Sequence, residues 1–167
     1  MSNTELKADR LTTEYVQHED RIRLNLEDAQ QQRATLWFTQ RLLNRVIPAL
    51  VKVLEEETSG SPQAEEVQAF AQQRAQRSIE QEAPIAATDA AWLVRRVDLT
   101  PTKQQILLLF SDEAEASAKL KIPRTALRQW LSVLRELYRR AEWSSDIWPD
   151  WLAPLSQTDE TVKTKLH

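Results

Sequence analysis

The first regularity along the chain is alternation. Between Arg21 and Glu27, Ile22, Leu24 and Leu26 fall on one side and Arg21, Arg23 and Asn25 on the other. This is the period-2 pattern of a half-buried strand. A polar turn, Asp28-Ala29-Gln30-Gln31-Gln32, leads to a second such run, in which Ala34, Leu36 and Phe38 oppose Arg33, Thr35 and Trp37. Leu11, Thr13 and Tyr15 predict a strand ahead of both. The period then changes. Thr39 can cap a helix whose apolar positions are Leu42, Leu43, Val46, Ile47, Leu50, Val51 and Leu54, a stripe at helical spacing. Pro48 inside it removes one backbone donor and predicts a kink. A second helix is predicted from Pro62 to Glu82, packed by a thin stripe of Val67, Phe70, Ala71 and Ile79.

The pattern then returns. Trp92 to Leu99 reads as a strand. Ile106, Leu108 and Phe110 alternate with Leu107 and Leu109, and Ala118, Leu120 and Ile122 alternate with Lys119 and Lys121. From Pro123 a helix carries Leu127, Trp130, Leu131, Leu134, Leu137 and Tyr138. A single offset of 84 residues aligns the halves from Thr12 to Glu57 without a gap. It makes Ile22/Ile106, Leu24/Leu108, Asp28/Asp112, Ala34/Ala118, Leu36/Leu120, Leu43/Leu127 and Leu50/Leu134 identical. Turn length and helix start stay in register as well, which points to duplication of one unit.

The fold expected is therefore α+β. It comprises two pseudo-symmetric strand–strand–strand–helix repeats with antiparallel sheets, since the strand connections are too short for parallel crossovers. One compact domain should span 1–152, with repeat one at 11–57, a connecting helix at 62–82 and repeat two at 92–140. A Trp-rich latch at 143–152 and a polar tail at 153–167 complete it.

Composition narrows the chemistry. With 167 residues, 41% hydrophobic and 28% charged, the chain can bury a real core. It has no cysteine, so disulfides, thiolate metal sites and cysteine nucleophiles are excluded. Its one glycine, Gly60, cannot build a phosphate-cradling loop. No cofactor is expected. The N-terminus is polar, and no apolar stretch is long enough to span a bilayer, so a cytoplasmic protein without membrane contact is expected. His18 falls in a turn and His167 at the terminus. The carboxylate pairs Glu19-Asp20, Glu27-Asp28 and Asp112-Glu113 fall in turns too, where acidic side chains bond the local backbone. No catalytic or metal-ligating residue is assigned, and an enzyme is not expected.

Two surfaces remain. On the outward side of the second repeat lie Trp92, Val94, Leu107 and Leu109, so the Ile106–Phe110 strand is apolar on both faces and needs a cover: the 62–82 helix, the C-terminal segment or a second subunit. Trp143, Trp148 and Trp151 add three tryptophans in nine residues, a latch expected to dock on its own domain or, as the alternative, on a partner. Trp92, Leu107, Leu109, Trp143, Trp148 and Trp151 are the candidate contacts of a protein partner, with a homodimer expected. The alternative is the outward side of the first repeat, where Arg21, Arg23 and Arg33 surround Trp37. Basic side chains around an aromatic suit single-stranded nucleic acid. Duplicated strand–helix units also resemble, in topology only, the Whirly and PUR-repeat single-strand binders, whose units have four strands where three are counted here.

Overall fold

The computed structural model describes residues 5–80 and 82–152, so the polar tail expected at 153–167 lies outside the described residues. Eight strands and three helices follow in the order β1 (Leu6–Ala8), β2 (Arg10–Val16), β3 (Arg21–Glu27), β4 (Arg33–Phe38), α1 (Gln40–Glu55), α2 (Ala64–Arg77), β5 (Ala91–Leu93), β6 (Arg96–Pro101), β7 (Gln105–Ser111), β8 (Ser117–Pro123) and α3 (Arg124–Ala141). They form two four-stranded sheets, ordered β2-β3-β4-β5 and β1-β8-β7-β6. The mixed α+β character is as the periodicities indicated.

The strands expected from alternation pair as antiparallel meanders, β2-β3-β4 and β6-β7-β8. Each sheet has a fourth strand that the sequence reading did not count. It comes from the other half of the chain and lies parallel: β1 beside β8, and β5 beside β4. The change of sheet happens at short corners. Asp9 alone separates β1 from β2, and its N–H donates to the Glu27 carbonyl at 2.9 Å. Val94 and Arg95 separate β5 from β6 and donate to the carbonyls of Trp37 and Ser111, both at 2.9 Å. The continuous strand expected from Trp92 to Leu99 is therefore two strands in two sheets.

The β3–β4 and β7–β8 registers match at a shift of 84, Leu24 facing Leu36 and Leu108 facing Leu120. The outer strands do not. Thr13 faces Leu24, whereas Leu99 faces Leu108. This slip of two residues leaves the same face inward, as a slip of one would not. Both meander turns are closed the same way. The Asp28 carboxylate accepts the N–H groups of Gln30 and Gln32 at 2.9 and 2.8 Å. The Asp112 carboxylate accepts those of Ala114 and Ala116 at 2.9 and 3.0 Å.

One core lies between the inner sheet faces and the apolar stripes of α1 and α3. Phe38 and Phe110 meet there edge to face, with centroids 5.6 Å apart. Thr39 caps α1 by accepting the Leu42 N–H at 3.1 Å. Pro48 stands on the exposed side, and α1 runs through it from Gln40 to Glu55.

The connecting helix differs from expectation in the face it buries. Gln68, Gln72 and Ala75 face inward, while Val67, Phe70 and Ile79 are exposed, Phe70 by 61%. Hydrogen bonds decide this orientation. Gln72 donates to the Arg128 carbonyl and to Ser132 Oγ on α3, each at 2.8 Å, and Gln68 donates to the Leu54 carbonyl at 2.6 Å. Their own amide oxygens accept from Arg128 at 3.4 and 2.8 Å. Burial disfavours the charge on Arg128 and lowers its pKa, while Glu57, 3.3 Å away, opposes the shift.

Candidate functional site

The surfaces that remain open follow from how the two sheets are covered. On the outer face of β2-β3-β4-β5, residues 82–90 cross the sheet as a strap. Glu82 takes the Arg10 Nε at 3.1 Å, and the Ala83 carbonyl takes another Arg10 nitrogen at 2.9 Å. Ile85 is buried, and its N–H donates to Thr12 Oγ1 at 3.2 Å. The Thr88 N–H donates to Thr35 Oγ1 at 2.8 Å, and that hydroxyl donates to Asn25 Oδ1 at 2.8 Å. Asn25 and Thr35, polar positions on the outer side, are each only 1% exposed as a result.

The nucleic-acid candidates lie around this strap. Arg23 packs its guanidinium 5.4 Å over the Trp37 ring and donates to Glu14. Arg33 pairs with Glu27 at 3.3 Å, as does Arg10 at 2.8 Å. Trp37 and Arg21 are half-buried. The structure thus brings Arg23 and Trp37 together, but it supplies carboxylates to Arg23 and Arg33 from neighbouring strands.

The partner candidates divide into three groups. Trp92 pairs with Leu36 and packs against the core, and Val94 is buried, so the outward placement expected for both is corrected. The cause is the corner at Val94-Arg95, which moves the chain between sheets and changes which side faces in. The tryptophans of 143–152 lie against the chain's own domain, the first of the two placements expected for them. Trp148 and Trp151 are 7% and 6% exposed. Trp148 lies edge-on to Tyr138 at 5.3 Å, and Trp151 donates to Glu55 at 3.0 Å with Arg128 over its ring. Trp143 packs against Tyr15 and Tyr138 and donates to Asp20 at 3.0 Å.

Leu107 and Leu109 are the exception. They point to the outer face of β1-β8-β7-β6, half-buried and outside the core cluster. Across the ladder they face Lys121 and Lys119 on one side and Thr100 and Asp98 on the other. Lys7 faces Lys119 from β1. The side-chain bonds of this face run between its own strands and their ends, Lys119 to Glu5 at 3.1 Å and Arg96 to Asp98 at 3.1 Å. No strap comparable to 82–90 crosses it among the described residues.

Among those residues no group of three or more His, Asp or Glu side chains is placed to hold a metal ion, and no helix is long and apolar enough to cross a membrane. His18 is exposed in the β2–β3 turn. No known protein family matches the chain, and comparison with curated proteins and with solved structures yields no significant match. A surface feature that sequence reasoning missed is a groove between α1 and β6, lined by Val46, Val97, Arg45 and Arg95 among others. Its arginines belong to different periodic patterns, and only the β5–β6 corner brings them to one place.

Proposed function

We propose that this chain is a non-catalytic binding and assembly protein, built by duplication of one unit, whose partner is a second copy docked on the outer face of β1-β8-β7-β6. The observation that carries the reading is the unequal covering of two comparable sheets. The strap buries the centre of the first outer face, while Leu107 and Leu109 stand half-buried on an inner strand of the second, which no strap crosses among the described residues. Apolar side chains grouped on an uncovered sheet mark a contact surface. A twofold axis along β7 would set the lysine flank of one copy over the Asp98 flank of the other, giving the self-complementarity that a dimer requires. Light scattering behind size exclusion tests it. The native chain should elute as a dimer, and Leu107→Lys/Leu109→Lys should elute as a folded monomer. A native monomer throughout would reject the reading.

A second reading, binding of single-stranded nucleic acid, is supported by the Arg23–Trp37 stack and by the four strands of each sheet. Glu14 and Glu27 oppose it by neutralising the arginines it needs. A labelled oligothymidine would have to bind with strong salt dependence and be released by Arg23→Ala/Trp37→Ala.

A further inference from the structure

Twice in the molecule a helix lies beside an edge strand from the other half, and the two arrangements differ at two facing positions. Beside β2 lies α3, whose Trp130 is 4% exposed and donates from Nε1 to Thr13 Oγ1 at 3.0 Å. The matching place lies between α1 and β6. There Val46 stands 84 residues before Trp130, and Leu99 faces Leu108 as Thr13 faces Leu24. Val46 and Leu99 therefore occupy the positions that Trp130 and Thr13 fill in the other half. The smaller side chain leaves a groove of about 180 Å³ with Val46, Ala49, Val97 and Leu99 on its apolar floor. Arg45, Arg95 and Arg96 stand at its rim. Arg96 is held by Asp98, but no carboxylate among the described residues lies within salt-bridge distance of the exposed Arg45 or Arg95.

We infer that this groove receives an aromatic side chain presented by an acidic segment of a partner protein. The ring is argued from the fold itself, which fills the equivalent space with an indole. Apolar walls around a ring-sized hollow are the setting in which aromatic anchors concentrate binding energy. The acidic flanks follow from the two unpaired guanidiniums, which match carboxylates in charge and geometry. The groove borders the outer sheet face at Arg96 but shares neither leucine with it, so the inference goes beyond the dimer and does not depend on it.

Fluorescence anisotropy of a labelled Glu-Asp-Trp-Asp-Glu peptide against the full chain tests the site. Binding at low salt should weaken with added salt, and by about tenfold or more when the peptide tryptophan is replaced by alanine. Val46→Trp should abolish it by filling the groove as Trp130 fills its counterpart. Arg45→Glu/Arg95→Glu alters exposed side chains only, and it should abolish binding while the thermal unfolding curve is retained, whatever Val46→Trp does to folding. Absence of peptide binding at low salt, or binding unchanged in the Arg45→Glu/Arg95→Glu protein, would overturn the inference. So would an oligothymidine that binds and is displaced by the arginine changes when the peptide is not. Leu107→Lys/Leu109→Lys should leave peptide binding intact, which separates failure of this site from failure of the dimer.

Discussion

At the scale of residues, Phe38 and Phe110, one from each inner face, make an edge-to-face contact between the two sheets. Phe110 is fully buried, so Phe110→Ala should leave a cavity and cost about 3–5 kcal/mol in urea unfolding. A loss below about 1 kcal/mol would mean that the sheets do not meet there. Tyr138 is 1% exposed, and its hydroxyl donates to Asn44 at 2.7 Å. Burial raises its pKa well above the ordinary value of 10.0. The unfolded chain then releases this proton at lower pH than the folded one. The stabilisation is therefore complete below pH 10 and is lost as pH rises past it. Stability measured from pH 9 upward should fall less steeply in Tyr138→Phe than in the native chain. Inward residues of β3, β4, β7 and β8 were legible because each strand keeps one face in throughout. Trp92 and Val94 were not, because alternation cannot register a corner where the chain changes sheets.

At the scale of elements, burial of polar side chains decides what pattern alone misplaces. The connecting helix was legible as a helix, but its inward face carries Gln68 and Gln72 in place of the expected Val67 and Phe70. Hydropathy sorts residues by transfer cost, and a glutamine that satisfies a helix carbonyl and an arginine together escapes most of that cost. The strap shows the same effect. Asn25 and Thr35 read as outward and polar, yet residues 82–90 bury them through hydrogen bonds that fix the strap to the sheet. Thr35→Val removes the hydroxyl and orphans Asn25 Oδ1 and the Thr88 N–H. It should cost about 1–3 kcal/mol and speed exchange of the Thr88 amide in particular. Unchanged exchange at Thr88 would show that the strap is held elsewhere.

At the scale of the whole molecule, the halves are bound by the strands they exchange as well as by their shared core. That exchange was invisible in the sequence because β1 and β5 have three residues each, too few for alternation to mark them. The offset of 84 is a pattern of the sequence, and it also locates the differences on which the proposed binding rests: a face with a strap against one without, and Trp130 against Val46. Equal inner surfaces require only that both halves fold. We propose that the unequal outer surfaces distinguish a partner and that the one without a strap receives a second copy. Sedimentation equilibrium across a dilution series measures this most directly, run on the native chain and on Leu107→Lys/Leu109→Lys. The native chain should fit a reversible monomer–dimer equilibrium that the paired substitution shifts toward monomer by about a hundredfold or more. A native chain that remains monomeric at the highest concentration, or a dimer that the two lysines leave untouched, would contradict it.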